Sequence, residues 1–267
     1  MIIISAVLTA CTTNTSKTGN SKEVKTTDTH ADLKSILNGN WAERSYIDVL
    51  AKTKSPYKSK GALRSIVELN IDTAKISGDS LEIGAPSIHE GTTFYIFFRP
   101  GIAVNSLPTS LRDYDNNSNF YELGYLISNK GTSVVIYHYN KDKKLINQDT
   151  YRKVLKNSEG PLQYMVNKTL VAGVYKTTDT TGGSITIRLT DDGKVIGIPN
   201  FSKYYVLTDF VAEPDSLDKI CFDIQTKNQH CYAFEIKVDT INLYQAIENA
   251  DSATSSLGKL MYRLVKK

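Results

Sequence analysis

The chain has 267 residues, 40% hydrophobic and 22% charged, with a formal net charge of +4. That is enough apolar material for one large or two modest globular units, so disorder is not the starting expectation. No block of Lys and Arg interleaved with aromatics occurs, so no nucleic-acid partner is expected. Sixteen tyrosines against one tryptophan and three methionines, with abundant Val, Ile and Thr, favour an all-β chain.

The chain opens with an apolar run, IIISAVLTA at 2–10, closed by Cys11. It is too short to cross a bilayer as a helix, which takes about 20 residues, but suits the apolar part of a signal peptide. Residues 12–31 are rich in Thr, Ser, Asn and Lys, with a single large apolar residue, Val24. Such a composition cannot bury enough surface to fold and is read as a disordered tether over 11–31.

Leu8-Thr9-Ala10-Cys11 resembles the lipobox of bacterial lipoproteins. The resemblance implies cleavage after residue 10 and a lipidated Cys11 as the first mature residue. Acyl chains gain roughly 0.8 kcal/mol per buried methylene, enough to hold a domain at a membrane. Peptides of this kind open with Lys or Arg, absent before this run; the reading therefore expects a translation start upstream of Met1. The other reading of 2–11 is a buried amino-terminal strand. Thr12 stands where an Asp commonly retains Gram-negative lipoproteins at the inner membrane, so the resemblance implies the outer one in such an organism.

Beyond the tether the sequence repeats. KSILNGNW at 34–41 is echoed by KTLVAGVY at 168–175, IGAPSI at 83–88 by IGIPNF at 196–201, and YRKV at 151–154 by YRLV at 262–265. Three echoes in one order indicate duplication, the copies spanning 32–156 and 161–267. Each opens on a short helix: Asp32 is positioned to cap 33–37, stopped by Gly39, and Pro161 starts a run that ends before Gly173. In the second copy, strands are expected at 184–190, 194–198, 203–211, 219–225, 230–237 and 259–265, with turn signals between them. About seven or eight antiparallel strands per copy suit two tandem small barrels, because closure removes exposed edges.

Gly39-Asn40-Trp41, after a short helix and before a first strand, resembles the G-x-W signature of lipocalins. In that family a basic residue near the end of the last strand often packs over the tryptophan. The resemblance assigns this part to Arg152 over Trp41, and to Arg263 over Tyr175 behind Gly173 in the second copy. It also implies a non-catalytic protein whose barrel binds a small apolar or amphipathic ligand.

A hairpin centred on Thr226 would place Cys221 opposite Cys231. Cross-strand β-carbons lie about 4.5–5.5 Å apart, a gap that twist can close for a disulfide. Exported proteins keep such bonds, and Cys11 is then left for lipid. The alternative is two free thiols.

Chemistry-bearing motifs are sparse. His30, His89, His138 and His230 are scattered without zinc-ligand spacing. Ser55 and Lys58 fit S-x-x-K, but the K-T-G companion occurs only at 17–19 in the tether. Asp113, Asp115, Asn117 and Asn119 alternate as in a calcium loop, yet Ser118 and Gly124 stand where Gly and Glu belong; a solvated loop is expected. His89 and Glu90 are chain neighbours and point apart. No cofactor, metal or catalytic residue is expected. The longer loops of the first copy, 52–64 and 100–119, carry or flank Tyr46, Tyr57, Tyr114 and Tyr121, the candidate contacts for a small ligand. Alternatively these loops bind a protein of the cell envelope as an inhibitor or assembly factor would.

Overall fold

The computed structural model describes residues 30–88, 90–129, 131–154, 160–178, 182–210, 216–249 and 254–267. Cys11, the apolar start, the tether up to residue 29 and His89 lie outside these residues; the last two tether residues, 30 and 31, belong to a helix instead.

Helix α1 (His30–Leu37) leads into β1 (Gly39–Glu43), then α2 (Arg44–Thr53) and α3 (Pro56–Ser59). Strands β2 (Glu68–Ile71), β3 (Ser80–Gly84), β4 (Thr93–Phe97), β5 (Ser106–Arg112), β6 (Phe120–Ser128), β7 (Gly131–Tyr139) and β8 (Leu145–Val154) follow. Each pairs antiparallel with its chain neighbour, and β8 returns to β1, closing an eight-stranded barrel. Residues of alternate parity face inward: Trp41, Leu69, Ile83, Ile96, Leu123, Ile136 and Tyr151 belong to one buried cluster. That alternation is the strand period written into the sequence. Leu37 joins this cluster and Leu33 and Ile36 pack on it, so α1 plugs the end where β1 begins. An eight-stranded barrel is narrow enough for side chains to fill it, and these do.

The second half opens on α4 (Pro161–Leu170), followed by β9 (Gly173–Thr178), β10 (Ser184–Leu189), β11 (Val195–Ile196), β12 (Tyr204–Val206), β13 (Lys219–Phe222), β14 (His230–Lys237), β15 (Thr240–Glu248) and β16 (Ser255–Lys266). They form an antiparallel sheet in the order β11-β10-β9-β16-β15-β14-β13-β12. This sheet is not a closed barrel as expected. Its edge strands are two and three residues long and meet only through the bridge Lys194–Lys203, with Val195 N–H donating to Ser202 O (2.8 Å) and Tyr204 N–H to Gly193 O (2.7 Å).

Other expectations change as well. The segment 52–64, expected as a loop, holds the end of α2, α3 and a 3-10 turn, while β5 lies within 100–119. Helix α1 starts at His30, so position 32 falls within it and not ahead of it. Strand β15 was not among the expected strands, although Thr240, Asn242 and Tyr244 alternate with Ile241 and Leu243 right after a tight turn at Val238, whose φ is 54°. The β13–β14 register does place Cys221 opposite Cys231, and the two are disulfide-bonded with Cα atoms 4.0 Å apart.

The halves share one core. Tyr46, Ile47 and Leu50 of α2 and Leu162, Met165, Val166 and Leu170 of α4 lie in a single buried cluster. On one side it includes Ala42, Val67 and Val154 of the first half; on the other, Ile187, Val206, Phe222, Phe234 and Leu264 of the second sheet. Glu43 starts α2 by accepting the N–H groups of Ser45 and Tyr46, both at 2.8 Å, satisfying donors that a helix start leaves open.

Two carboxylates cross the seam. Glu68 of β2 accepts the Leu162 N–H in the first turn of α4 (2.9 Å), and Asp218 of the second half accepts the Tyr57 N–H in α3 (2.7 Å). Burial pushes the pKa of each above the ordinary carboxylate range, outweighing the hydrogen bonds that pull it down. A carboxyl whose pKa is raised on folding binds its proton more tightly when folded, so its contribution to stability falls as pH rises above about 4. The Glu68→Gln, Asp218→Asn variant keeps an acceptor oxygen and removes this titration. In urea unfolding, its midpoint relative to wild type is expected to rise from pH 4 to pH 7; a relative midpoint that falls over that interval would contradict the assignment.

Candidate functional site

The first candidate is the barrel base. Trp41 is fully buried, and its Nε1–H donates to Leu37 O at the end of α1 (2.9 Å). Lys153, not Arg152, lies over it, with Nζ 5.2 Å from the ring centroid. Strand alternation gives the reason: β8 places Lys153 opposite Trp41 and Arg152 opposite Ala42, on the outer face. There Arg152 pairs with Asp48 of α2 at 3.1 Å. Gly39 has a φ of 124°, which favours glycine, and a β-carbon on it would stand 3.0 Å from Lys153 Cε and push that side chain aside.

The second half repeats the arrangement. The Tyr175 hydroxyl donates to Val171 O just beyond α4 (2.7 Å), again four residues back. Burial pushes the Tyr175 phenol up to about 12. Lys266 stands opposite Tyr175, and its Cε would be 3.3 Å from a β-carbon on Gly173. Arg263 is exposed and opposite Asn242; it does not cover Tyr175. The YRKV and YRLV echoes are therefore offset by two residues in their strands, a shift that preserves the face and hides the true partner. Gly39, Trp41 and Lys153 in the first half, and Gly173, Tyr175 and Lys266 in the second, form these closures.

The second candidate is an apolar cleft of about 500 Å³ at the α1 end of the barrel, lined by Leu33, Phe98, Ile102, Val104, Leu107 and Tyr125. Its volume lies in the range of about 300–1,000 Å³ typical of small-molecule sites. The β4–β5 connection forms one wall, with Ile102 45% and Val104 77% exposed. What holds this wall is Glu122 on β6, a buried carboxylate. It accepts the N–H groups of Ile102 (2.7 Å) and Ala103 (3.2 Å) and the Ser106 hydroxyl (2.6 Å). Gly101 passes so close that a β-carbon there would meet Glu122 Oε2 at 2.7 Å. Neither Glu122 nor the cleft was read from sequence; the available signal was the apolar IAV at 102–104 inside a turn-rich segment.

The expected tyrosines do not gather at this cleft. Tyr46 is buried in α2, with its hydroxyl lacking a hydrogen-bond partner among the described residues and its pKa raised far above normal, chiefly by burial; it belongs to the shared core, not to a ligand loop. Tyr57 packs edge-on to Phe210 (5.5 Å) under Lys60. Tyr114 is fully exposed. Tyr121 stacks on His138 (4.3 Å between ring centres) at the opposite end of the barrel.

At that end Asp113 accepts the Asn119 amide (2.9 Å) and lies 3.0 Å from His138 Nε2, close enough for ion pairing but out of line for a hydrogen bond. The Asp113 carboxyl is held below its usual range, first by Asn119. Asp115 turns its N–H to Asp113 (3.0 Å). Among the described residues no group of three or more His, Cys, Asp or Glu converges as a metal site. Ser55 caps α3 by accepting the Lys58 N–H (3.1 Å), which gives S-x-x-K a structural use. His230 Nδ1 sits 2.9 Å from Asn228 O beside the hairpin. No described helix is long and apolar enough to cross a membrane.

Comparison with family models, with curated proteins and with solved structures returned no match.

Trp41 is the one tryptophan, so its emission reports the barrel base. Gly39→Ala is expected to cost more than about 1 kcal/mol and to change Trp41 emission as Lys153 is displaced. Arg152→Ala breaks only a half-exposed ion pair, worth about 0–1 kcal/mol, and should leave the emission unchanged. Urea unfolding followed by fluorescence measures both; equal effects would contradict the placement of Lys153.

Proposed function

We propose that this chain is a non-catalytic, extracytoplasmic lipoprotein, anchored through Cys11. Its first barrel binds a small apolar or amphipathic ligand. The observation that carries the reading is the apolar cleft against α1, whose wall is fixed by Glu122 while Ile102 and Val104 stay exposed. Side chains that solvent would otherwise cover gain roughly 25 cal/mol per Å² when a ligand buries them. The ligand sits at the barrel end and not along its axis, which Trp41, Leu123 and Tyr151 fill. Export is supported by the lipobox-like LTAC and by the Cys221–Cys231 bond, a linkage that persists outside the cytosol. The duplicated, lipocalin-like reading is supported by the paired closures of Trp41 and Tyr175 by their preceding helices. The second half is then a barrel-like copy joined at the Lys194–Lys203 bridge.

A partner protein of the envelope is the second reading, favoured by the filled barrel axis and by the fully exposed Tyr114.

Mass spectrometry of the protein extracted from membranes tests both parts at once. Under denaturing conditions the mature chain should begin at Cys11 and carry acyl mass; under native conditions a small apolar adduct should remain on wild type and be lost from Val104→Asp. Membrane recovery of Cys11→Ser at the wild-type level would sink the anchor. An adduct-free wild type, or an adduct kept by Val104→Asp, would sink the ligand site.

A further inference from the structure

A larger cleft, about 740 Å³, lies on the outer face of β1–β4 and takes no part in the proposed apolar site. Its floor follows from the register. Asn40 of β1 stands opposite Asn70 of β2, Asn70 opposite Gly84 of β3, and Gly84 opposite Thr93 of β4. One row further, Glu82 faces Tyr95. All belong to the outward parity, since Trp41, Leu69, Ile71, Ile83, Phe94 and Ile96 point into the barrel. Strands β2 and β3 share a single paired position, and their divergence toward the 3-10 turn Thr73–Lys75 gives the cleft its depth.

Part of the lining is held in place before any ligand arrives. Glu82 accepts the Thr93 hydroxyl (2.9 Å), Asn38 accepts the Thr73 N–H (3.1 Å), and Asp72 accepts the Ala74 N–H (3.1 Å). Fixing side chains in advance lowers the ordering cost of binding.

The lining's chemistry narrows the ligand. An apolar molecule would find only the Tyr95 ring among amides, hydroxyls and carboxylates, since the Ile71 side chain points into the barrel. An anion would meet one cation, Lys75, whose Nζ is already 3.9 Å from Asp72, against two carboxylates. A ligand with many hydroxyls fits better. Each hydroxyl both donates and accepts, matching amides that do the same and carboxylates that accept. Its C–H faces suit a ring such as Tyr95, which is 45% exposed at the rim and has an electron-rich face. The volume lies within the range of about 300–1,000 Å³ typical of small-molecule sites.

We propose that this outer cleft binds a neutral saccharide, with Asn40, Asn70, Asp72 and Glu82 bonding its hydroxyls and Tyr95 stacking on a sugar face. The site is separate from the apolar cleft and stands whether or not that one holds a ligand.

The test is calorimetric titration of the full chain with chitotetraose and with maltotetraose, beside the variants Tyr95→Ala, Asn70→Ala and Val104→Asp. Circular dichroism checks that each variant keeps the barrel. Saturable binding of at least one sugar is expected, insensitive to salt, weakened about tenfold by Tyr95→Ala or Asn70→Ala, and unchanged by Val104→Asp. Absence of saturable binding by both sugars would overturn the proposal. So would binding that folded Tyr95→Ala and Asn70→Ala retain at wild-type strength, or binding that salt abolishes.

Discussion

The seam between α2 and α4 is where the two halves stop being separate objects. Tyr46, Ile47 and Leu50 meet Leu162, Met165 and Val166 in a cluster that continues into the second sheet. Deleting one such buried side chain typically costs about 2–5 kcal/mol, a large part of the stability of most domains. Two of the helix N–H groups this burial would strand are satisfied across the seam: Glu68 takes the start of α4 and Asp218 takes α3. The contacts are reciprocal, each half supplying a carboxylate to a helix of the other. Burial at the seam raises the pKa of both carboxyls, so apolar packing there comes at the expense of charge solvation.

Within each half the same device recurs. A glycine, one spacer and a buried aromatic follow a helix, and the aromatic's polar atom bonds a carbonyl four residues back. A lysine from the last strand then stands beside the glycine. This much was nearly legible in KSILNGNW and KTLVAGVY, because helix, glycine and aromatic are local in sequence. The lysine was not. Its identity depends on the β1–β8 and β9–β16 registers, and a one-residue change of register swaps faces, turning Lys153 into Arg152.

The hairpin cysteines were legible for the opposite reason, since a short turn fixes register locally. Helix α2 was missed although Tyr46, Ile47 and Leu50 have helical spacing; its polar neighbours and the following SPYKSKG gave the segment the composition of a loop. The apolar cleft was hidden because it needs three distant pieces together: α1, the β4–β5 connection and Glu122. The outer cleft was hidden likewise, as Asn40, Asn70 and Thr93 become neighbours only through sheet pairing.

Function in this account rests on the rigidity of the first barrel, and that rigidity rests on the seam. The most direct measurement is urea unfolding followed in parallel by Trp41 emission, which senses the first barrel, and far-ultraviolet circular dichroism, which senses both sheets. A shared core predicts one transition with coincident midpoints, both lowered together by Leu50→Ala. Two separated transitions, with Trp41 emission shifting apart from the circular dichroism, would contradict it.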